Sequence, residues 1–143
     1  MNNYTGTTNS LGKKQLEDKF YTKPEIVNLI LNKFKNILQL KNYDVIIEPS
    51  AGNGSFSEAL RKEHNNVMAF DLKPEHHNIQ EMNWLTSNKD IFFSYLRKLV
   101  IGNPPFGSKG SLAMNFIKES EFADVIAFVL PKGFKKESIK NRI

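Results

Sequence analysis

The sequence predicts a single α/β domain built on an open, mostly parallel sheet with flanking helices. Short apolar runs alternate with stretches in which apolar residues recur every three or four positions, as expected for strands joined by crossover helices. The first apolar run leads directly into a glycine-rich turn and then into an amphipathic stretch. The length of 143 residues suits one hydrophobic core and leaves no room for a second full domain.

The N-terminal part divides into an arm and a helix. Residues 1–18 are polar, contain glycine and show no apolar period, so we expect a flexible arm there and an ordered core over residues 19–143. Pro24 suits the first turn of a helix, with Thr22 in the N-cap region. Apolar residues then recur at helical spacing, which predicts an amphipathic helix over residues 24–40.

The remaining elements alternate along the chain. Predicted strands cover residues 45–47, 67–70, 79–82, 99–101 and 125–130, and the third of these is the weakest. Predicted helices cover residues 56–64, residues 90–98 and the region of residues 112–117. The run 125–130 is the most continuous apolar stretch, so we expect a buried strand there.

Composition restricts the possible functions. Lys and Arg number 20 against 15 Asp and Glu, and the resulting net charge of +5 suits a polyanionic partner, although it serves solubility equally well. The absence of cysteine excludes disulfides, thiolate nucleophiles and cysteine-based zinc sites. No apolar run approaches the roughly 20 residues that span a bilayer, and the polar start lacks the core of a signal peptide. We therefore expect a soluble intracellular protein without membrane contact.

The turn over residues 48–54 is the first candidate for ligand binding. Gly52 and Gly54 lack Cβ atoms, so the backbone can bend sharply and approach a ligand closely after the first strand. The turn has neither the third glycine of a dinucleotide fingerprint nor the lysine of a P-loop, which disfavours phosphate binding. A purely structural glycine turn is the alternative.

Asp71 is the second candidate. It ends the second predicted strand about 17 to 20 residues after the glycine turn, where an acidic side chain can accept hydrogen bonds from ribose hydroxyls. A helix N-cap or a solvated turn residue is the alternative. Together, the glycine turn and the acid indicate a nucleoside-containing cofactor.

The third candidate is the segment from Asn103 to Gly107, which follows the fourth predicted strand. Two consecutive prolines stiffen this loop, and Pro104 restricts the backbone of Asn103. An amide oxygen and a backbone carbonyl could both accept hydrogen bonds from one amino group, while Phe106 offers a flat face to a planar base. The alternative is a strand-ending turn in which Phe106 fills the core.

These three segments resemble the class I S-adenosylmethionine-dependent methyltransferases, in particular the adenine-N6 DNA methyltransferases. The matching residues are the turn 48–54, Asp71 and the segment Asn103 to Phe106, and residues 19–24 resemble a short segment that precedes the first strand in one subgroup. The resemblance covers about residues 20–134. It implies a Rossmann-like fold, S-adenosyl-L-methionine as cofactor, and methylation of the adenine N6 amino group in nucleic acid, with DNA favoured over RNA.

The resemblance also implies the roles of the site residues. The catalytic residues would be Asn103, Pro104, Pro105 and Phe106; of these, Asn103 and Pro104 would accept the target amino hydrogens and Phe106 would stack on the base. The cofactor-binding residues would be Phe20, Tyr21, Thr22, Glu48, Pro49, Ser50, Ala51, Gly52, Asn53, Gly54, Asp71, Leu72, Asn83, Trp84 and Asn103.

Within the implied cofactor-binding set, residues 20–22 would hold the methionine end and Leu72 would pack beside the adenine. Asn83 stands where the family has an acid, and Trp84 would either pack on the cofactor's adenine or fill the core. No metal is expected, because His64, His76 and His77 do not form a persuasive ligand set.

Two other functions remain open. Protein glutamine-N5 methyltransferases share the Asn-Pro-Pro-aromatic loop, usually with tyrosine in place of phenylalanine. A non-catalytic methyltransferase-like subunit or a truncated fragment is the other alternative, because the family pattern expects two further strands and commonly a target-recognition region after the fifth strand. In that case a partner chain would complete the sheet or supply target recognition.

Overall fold

The computed structural model describes residues 23–131. The predicted arm over residues 1–18 and the predicted cofactor residues Phe20, Tyr21 and Thr22 lie outside this range. Over residues 23–131, the helices are all too short or too polar to cross a membrane.

The first helix, α1, spans Pro24–Ile37, so the predicted helix is present but ends before residue 40. Pro24 occupies the first turn, where its missing N–H costs no helical hydrogen bond. The helix turns Val27 and Leu31 into the core. The chain becomes extended at Leu38 and then forms a short 3-10 turn at Leu40–Asn42, which ends the helix.

Five parallel strands form one sheet, as the sequence predicts. They are β1 (Val45–Glu48), β2 (Val67–Asp71), β3 (Ile79–Glu81), β4 (Lys98–Gly102) and β5 (Val125–Phe128). Their spatial order is β3-β2-β1-β4-β5, and every adjacent pair is parallel. The fold is therefore a Rossmann-like α/β arrangement, and its direction of winding reverses between β1 and β4.

Apolar residues cover both faces of the sheet. On one face, α1 and the helix α2 (Ser55–Arg61) pack Leu31 and Leu60 against Ile46 of β1. On the other face, Phe70 and Phe92 pack with Phe116 of the helix α3 (Ser111–Glu119). The central strands β1 and β4 lie between these two layers, and their mid-strand residues are fully buried. This double coverage explains why β1 and β4 read as continuous apolar runs rather than alternating ones.

The predicted helix over residues 90–98 is wrong, because only Asp90–Phe92 forms a short 3-10 turn there. Phe92 is fully buried, and its ring packs edge-on to the ring of Phe70, with the ring centroids 5.8 Å apart. Its neighbours Ile91 and Phe93 are exposed. The burial of Phe92 between two exposed apolar residues holds the segment as a loop. This tertiary contact outweighs the weak helical pattern of the sequence.

The predicted burial of the last strand is also wrong. Strand β5 is Val125–Phe128, shorter than residues 125–130, and all four of its residues are only half-buried. The reason is its position, since it pairs with β4 on one side and ends the order of strands among the described residues. A continuous apolar run predicts a strand but does not distinguish a central place in the sheet from an edge.

Candidate functional site

A cleft of about 240 Å³ opens where β1, β2 and β4 end, at the reversal in strand order. It brings together residues predicted from four separate parts of the sequence. Its walls are formed by Pro49, Ser50, Gly52, Asp71, Leu72, Lys73, Met82, Asn83, Trp84, Leu85, Asn103, Pro105, Leu112 and Phe116. Open α/β sheets bind ligands at this topological position.

The glycine turn is fastened to the end of β2. The Gly52 N–H donates to Asp71 Oδ2 at 2.8 Å, and the Ala51 N–H donates to the Phe70 carbonyl at 2.8 Å. Gly52 has φ 60°, in the left-handed region that favours glycine. These contacts hold the backbone of the turn against the floor of the cleft.

Gly54 supports the turn from behind rather than lining the cleft. Its φ is +90°, and an added Cβ would lie 3.3 Å from His76 Cβ and 3.4 Å from Ile79 Cδ1. Asn53 completes the turn, because its Oδ1 accepts hydrogen bonds from the backbone N–H and the hydroxyl of Ser55 at the start of α2. The second glycine is therefore required by packing and backbone conformation.

Asp71 combines a structural role with a position suited to binding. Its Oδ1 accepts the Lys73 N–H at 2.9 Å and its Oδ2 accepts the Gly52 N–H. Asp71 is only 8% exposed, so it is not the solvated turn residue of the alternative. The side chain still lines the cleft. A carboxylate at the end of the second strand of such a sheet is the kind of group that accepts hydrogen bonds from ribose hydroxyls.

A second, narrower cavity of about 30 Å³ adjoins the cleft and shares Ser50 and Asn103 with it. Glu48 lines this cavity at the end of β1 and is only 2% exposed. Its Oε1 is buried and has no hydrogen-bond partner among the described residues. Burial, together with the nearby Asp71 carboxylate and against the opposing effect of Arg61, raises the Glu48 pKa to about 8.

An unsatisfied carboxyl oxygen in such a cavity is costly without a donor. The cavity is of the size of a small polar group or a water molecule. Glu48 is therefore suited to receive a donor group from a bound ligand, preferably a cationic one, because a nearby cation would favour ionisation of the carboxyl.

The loop after β4 is anchored on both sides. The Gly102 carbonyl accepts the Val129 N–H at 2.9 Å just before the loop, and the Phe106 carbonyl accepts the Ala113 N–H at 3.1 Å after it. Gly107 has φ 75°, and an added Cβ would lie 2.5 Å from Leu112 Cβ. These constraints leave little freedom to the four residues that the sequence predicts to be catalytic.

The four predicted catalytic residues differ in position. Asn103 and Pro105 line the cleft, whereas Pro104 is buried and Phe106 is half-buried. The Phe106 side chain is not part of the cleft wall. Its expected stacking on a planar base stays a prediction.

Trp84 belongs mainly to the core, which is one of its two predicted roles. It is 1% exposed, and its Nε1 donates to Ser120 Oγ at 3.1 Å. Lys89 Nζ lies 4.8 Å from the centre of its ring and forms an ion pair with Glu119 at 3.0 Å. Trp84 still contributes to the cleft wall, so packing beside an adenine remains compatible with its position.

Asn83, a predicted cofactor-binding residue, lines the cleft and uses its Oδ1 to accept the Leu85 N–H at 3.1 Å.

Several other cleft residues were not predicted from the sequence. Met82, Leu85 and Leu112 add apolar surface to the walls. Their type and spacing match ordinary core residues, so no feature of the sequence distinguishes them as cleft residues.

The three histidines do not assemble a metal centre. His76 stacks on His77 with ring centres 4.5 Å apart, and His64 Nε2 contacts the Tyr43 carbonyl at 2.8 Å. Over residues 23–131, no group of three or more His, Asp or Glu side chains is placed to hold a metal ion.

Comparison with protein-family profiles, curated proteins and solved structures gives no match for this chain.

Proposed function

We propose that this chain is an S-adenosylmethionine-dependent methyltransferase that acts on the N6 amino group of adenine in nucleic acid, with DNA preferred over RNA. The observation that carries the proposal is the meeting of the glycine turn, Asp71 and Asn103 in one cleft. The Rossmann-like sheet alone would not support it, because this fold hosts many unrelated functions.

The residues of the cleft and the narrow cavity fit the cofactor. Asp71 presents a carboxylate in the cleft wall that suits ribose hydroxyls, and Leu72 and Leu85 supply apolar surface for an adenine ring. Glu48, with its unpartnered Oε1, suits the ammonium group at the methionine end. Acceptors and apolar walls thus match the chemically distinct parts of one molecule.

The loop from Asn103 to Pro105 suits an amino target. The Asn103 amide oxygen and the Pro104 carbonyl are acceptors for the two amino hydrogens, which would reduce delocalisation of the nitrogen lone pair into the base. When bound, the cofactor supplies an electrophilic methyl group on a sulfonium sulfur, and that sulfur keeps the electron pair of the broken S–C bond. The nitrogen forms the new N–C bond and releases one proton to solvent. Positioning of the two reactants is the main contribution of the chain.

Nucleic acid as substrate is supported by charge. The net charge of +5 favours association with phosphates, and Lys73 lies in the cleft wall. A target base in a duplex would have to be flipped out to reach the cleft. A protein glutamine side chain would use the same acceptors, so the substrate must be tested directly.

Calorimetric titration with S-adenosylhomocysteine tests the cofactor assignment. The wild-type chain should bind it, and Asp71→Ala should weaken binding roughly tenfold or more by removing acceptors for the ribose. Asp90→Ala is the matched control, since Asp90 is exposed and lies in the loop before β4. Lack of binding by the wild-type chain would favour a non-catalytic subunit.

Methyl-labelled cofactor offered with DNA, RNA and protein tests the substrate assignment. We expect label in the adenine N6 position of nucleic acid, with more label in DNA than in RNA. Label only in protein would replace the proposal by glutamine methylation. Mapping of the modified base by mass spectrometry distinguishes adenine N6 from other amino positions.

A further inference from the structure

One hydrogen bond joins the two loops that form the proposed site. Ser50 Oγ donates to the Asn103 carbonyl at 3.2 Å, across 53 residues of sequence. Both residues line the wide cleft and the narrow cavity, so together they form part of the wall between them. The bond is partly buried. It therefore links the turn after β1 to the loop after β4 at the centre of the site.

The donor side of this bond is held firmly. Pro49 precedes Ser50 and is buried, and Ala51 follows it and donates its N–H to the Phe70 carbonyl at 2.8 Å. The Ser50 backbone is therefore fixed to the ends of two strands. Its hydroxyl has one hydrogen to donate, and that hydrogen goes to Asn103.

On the acceptor side, the hydrogen bond restricts the conformation of the loop after β4 through the Asn103 carbonyl. The Asn103 carbonyl belongs to the planar peptide that includes the Pro104 nitrogen, so fixing the oxygen fixes the rotation of that plane. The ring of Pro104 locks its own φ near −65°. The orientation of the next carbonyl, that of Pro104, consequently depends on where Ser50 holds the preceding one.

We propose that Ser50 is a positioning residue for methyl transfer, which sets the orientation of the Asn103 and Pro104 acceptors by holding the peptide between them. This inference rests on the proposed function. Ser50 would act through Asn103 and Pro104, not by contact with the reacting atoms. A purely structural hydrogen bond would instead affect folding and cofactor binding as much as turnover.

The hydrogen bond itself can be observed without activity. Asn103–Pro104 is the single Asn-Pro pair in the chain, so labelling asparagine carbonyls with ¹³C and proline with ¹⁵N gives one carbon-detected correlation for the Asn103 carbonyl. Ser50→Ala should move this signal upfield through loss of the hydrogen bond, and Ser50→Thr, which keeps a hydroxyl, should leave it near the wild-type position. Ser94→Ala is the control, because Ser94 is exposed and lies in the loop before β4.

Measurements of turnover and of cofactor affinity then distinguish a positioning role of Ser50 from a purely structural one. Ser50→Ala should lower kcat roughly tenfold, the effect of one lost hydrogen bond on a positioned reaction. Its Kd for S-adenosylhomocysteine should rise by a clearly smaller factor than its kcat falls, because Asp71 and Glu48, the acceptors proposed for the cofactor, remain. Ser50→Thr should recover most of the turnover, and Ser94→Ala should behave as wild type.

Two results would overturn the role of Ser50: an Asn103 carbonyl signal that does not move in Ser50→Ala, or equal losses of turnover, cofactor affinity and thermal midpoint. Failure of the wild-type chain to bind S-adenosylhomocysteine has a different meaning. It would contradict the proposed function, while the carbonyl signal would still report whether Ser50 holds the loop.

Discussion

Replacing Glu48 by glutamine should raise the free energy of unfolding at alkaline pH and change it little at acid pH. Glu48 is 2% exposed, and burial together with the nearby Asp71 carboxylate raises its pKa from the ordinary 4.5 to about 8. Between these two values the folded chain keeps a proton on Glu48 that the unfolded chain has lost. Because the folded state binds more protons there, stability falls as pH rises through this range.

The size of the effect follows from the same two values. The interval from 4.5 to about 8, at about 1.4 kcal/mol per pH unit, gives an upper bound of about 5 kcal/mol. Water entering the narrow cavity beside Glu48 would reduce this penalty. The penalty is absent below pH 4.5 and complete above about pH 8. Glutamine has nearly the same shape and no charge, so it should remove the dependence.

Urea unfolding from about pH 4 to pH 9 provides the measurement. The wild-type curve should fall across the range while Glu48→Gln stays flatter, so the two separate progressively above pH 4.5. Glu81→Gln is the control, because Glu81 is an exposed residue of β3. Parallel curves for wild type and Glu48→Gln would refute the assignment of a protonated Glu48.

Three further substitutions test other parts of the site. Gly107→Ala should destabilise the fold by about 1–3 kcal/mol in urea unfolding, since its φ is 75° and a Cβ would lie 2.5 Å from Leu112 Cβ; an unchanged midpoint would contradict this geometry. Trp84→Phe should cost about 1–3 kcal/mol through the lost hydrogen bond to Ser120 and the reduced ring volume, and a smaller loss would mean that the core closes around phenylalanine. Asn103→Ala should reduce methyl transfer roughly a hundredfold while S-adenosylhomocysteine still binds in calorimetry, and full activity would exclude Asn103 as an acceptor.

The sheet could be predicted because its signals are local. Strands β1 and β4 are covered on both faces, and this environment leaves continuous apolar runs in the sequence. The turn after β1 could also be predicted, because Gly52 and Gly54 have positive φ, a conformation that favours glycine. Asp71 at the end of β2 was placed by its distance from that turn.

The errors and omissions arise from contacts between distant segments. The buried ring of Phe92 holds the segment before β4 as a loop, and no helical period records that contact. A glutamate usually indicates a solvated position, so the burial of Glu48 is visible only in three dimensions. The hydrogen bond from Ser50 to Asn103 joins residues 53 positions apart and is equally hidden in one sequence.

The ends of β1 and β4 constrain each other's side chains, because Glu48 packs closely against Gly102. A Cβ on Gly102 would lie 3.0 Å from Glu48 Cγ, and the φ of +149° disfavours side chains there in any case. Aspartate also has a Cγ atom, so a side chain at position 102 would press on either acid at position 48. The end of β4 is therefore restricted to glycine by the same carboxyl side chain that the narrow cavity presents to a ligand.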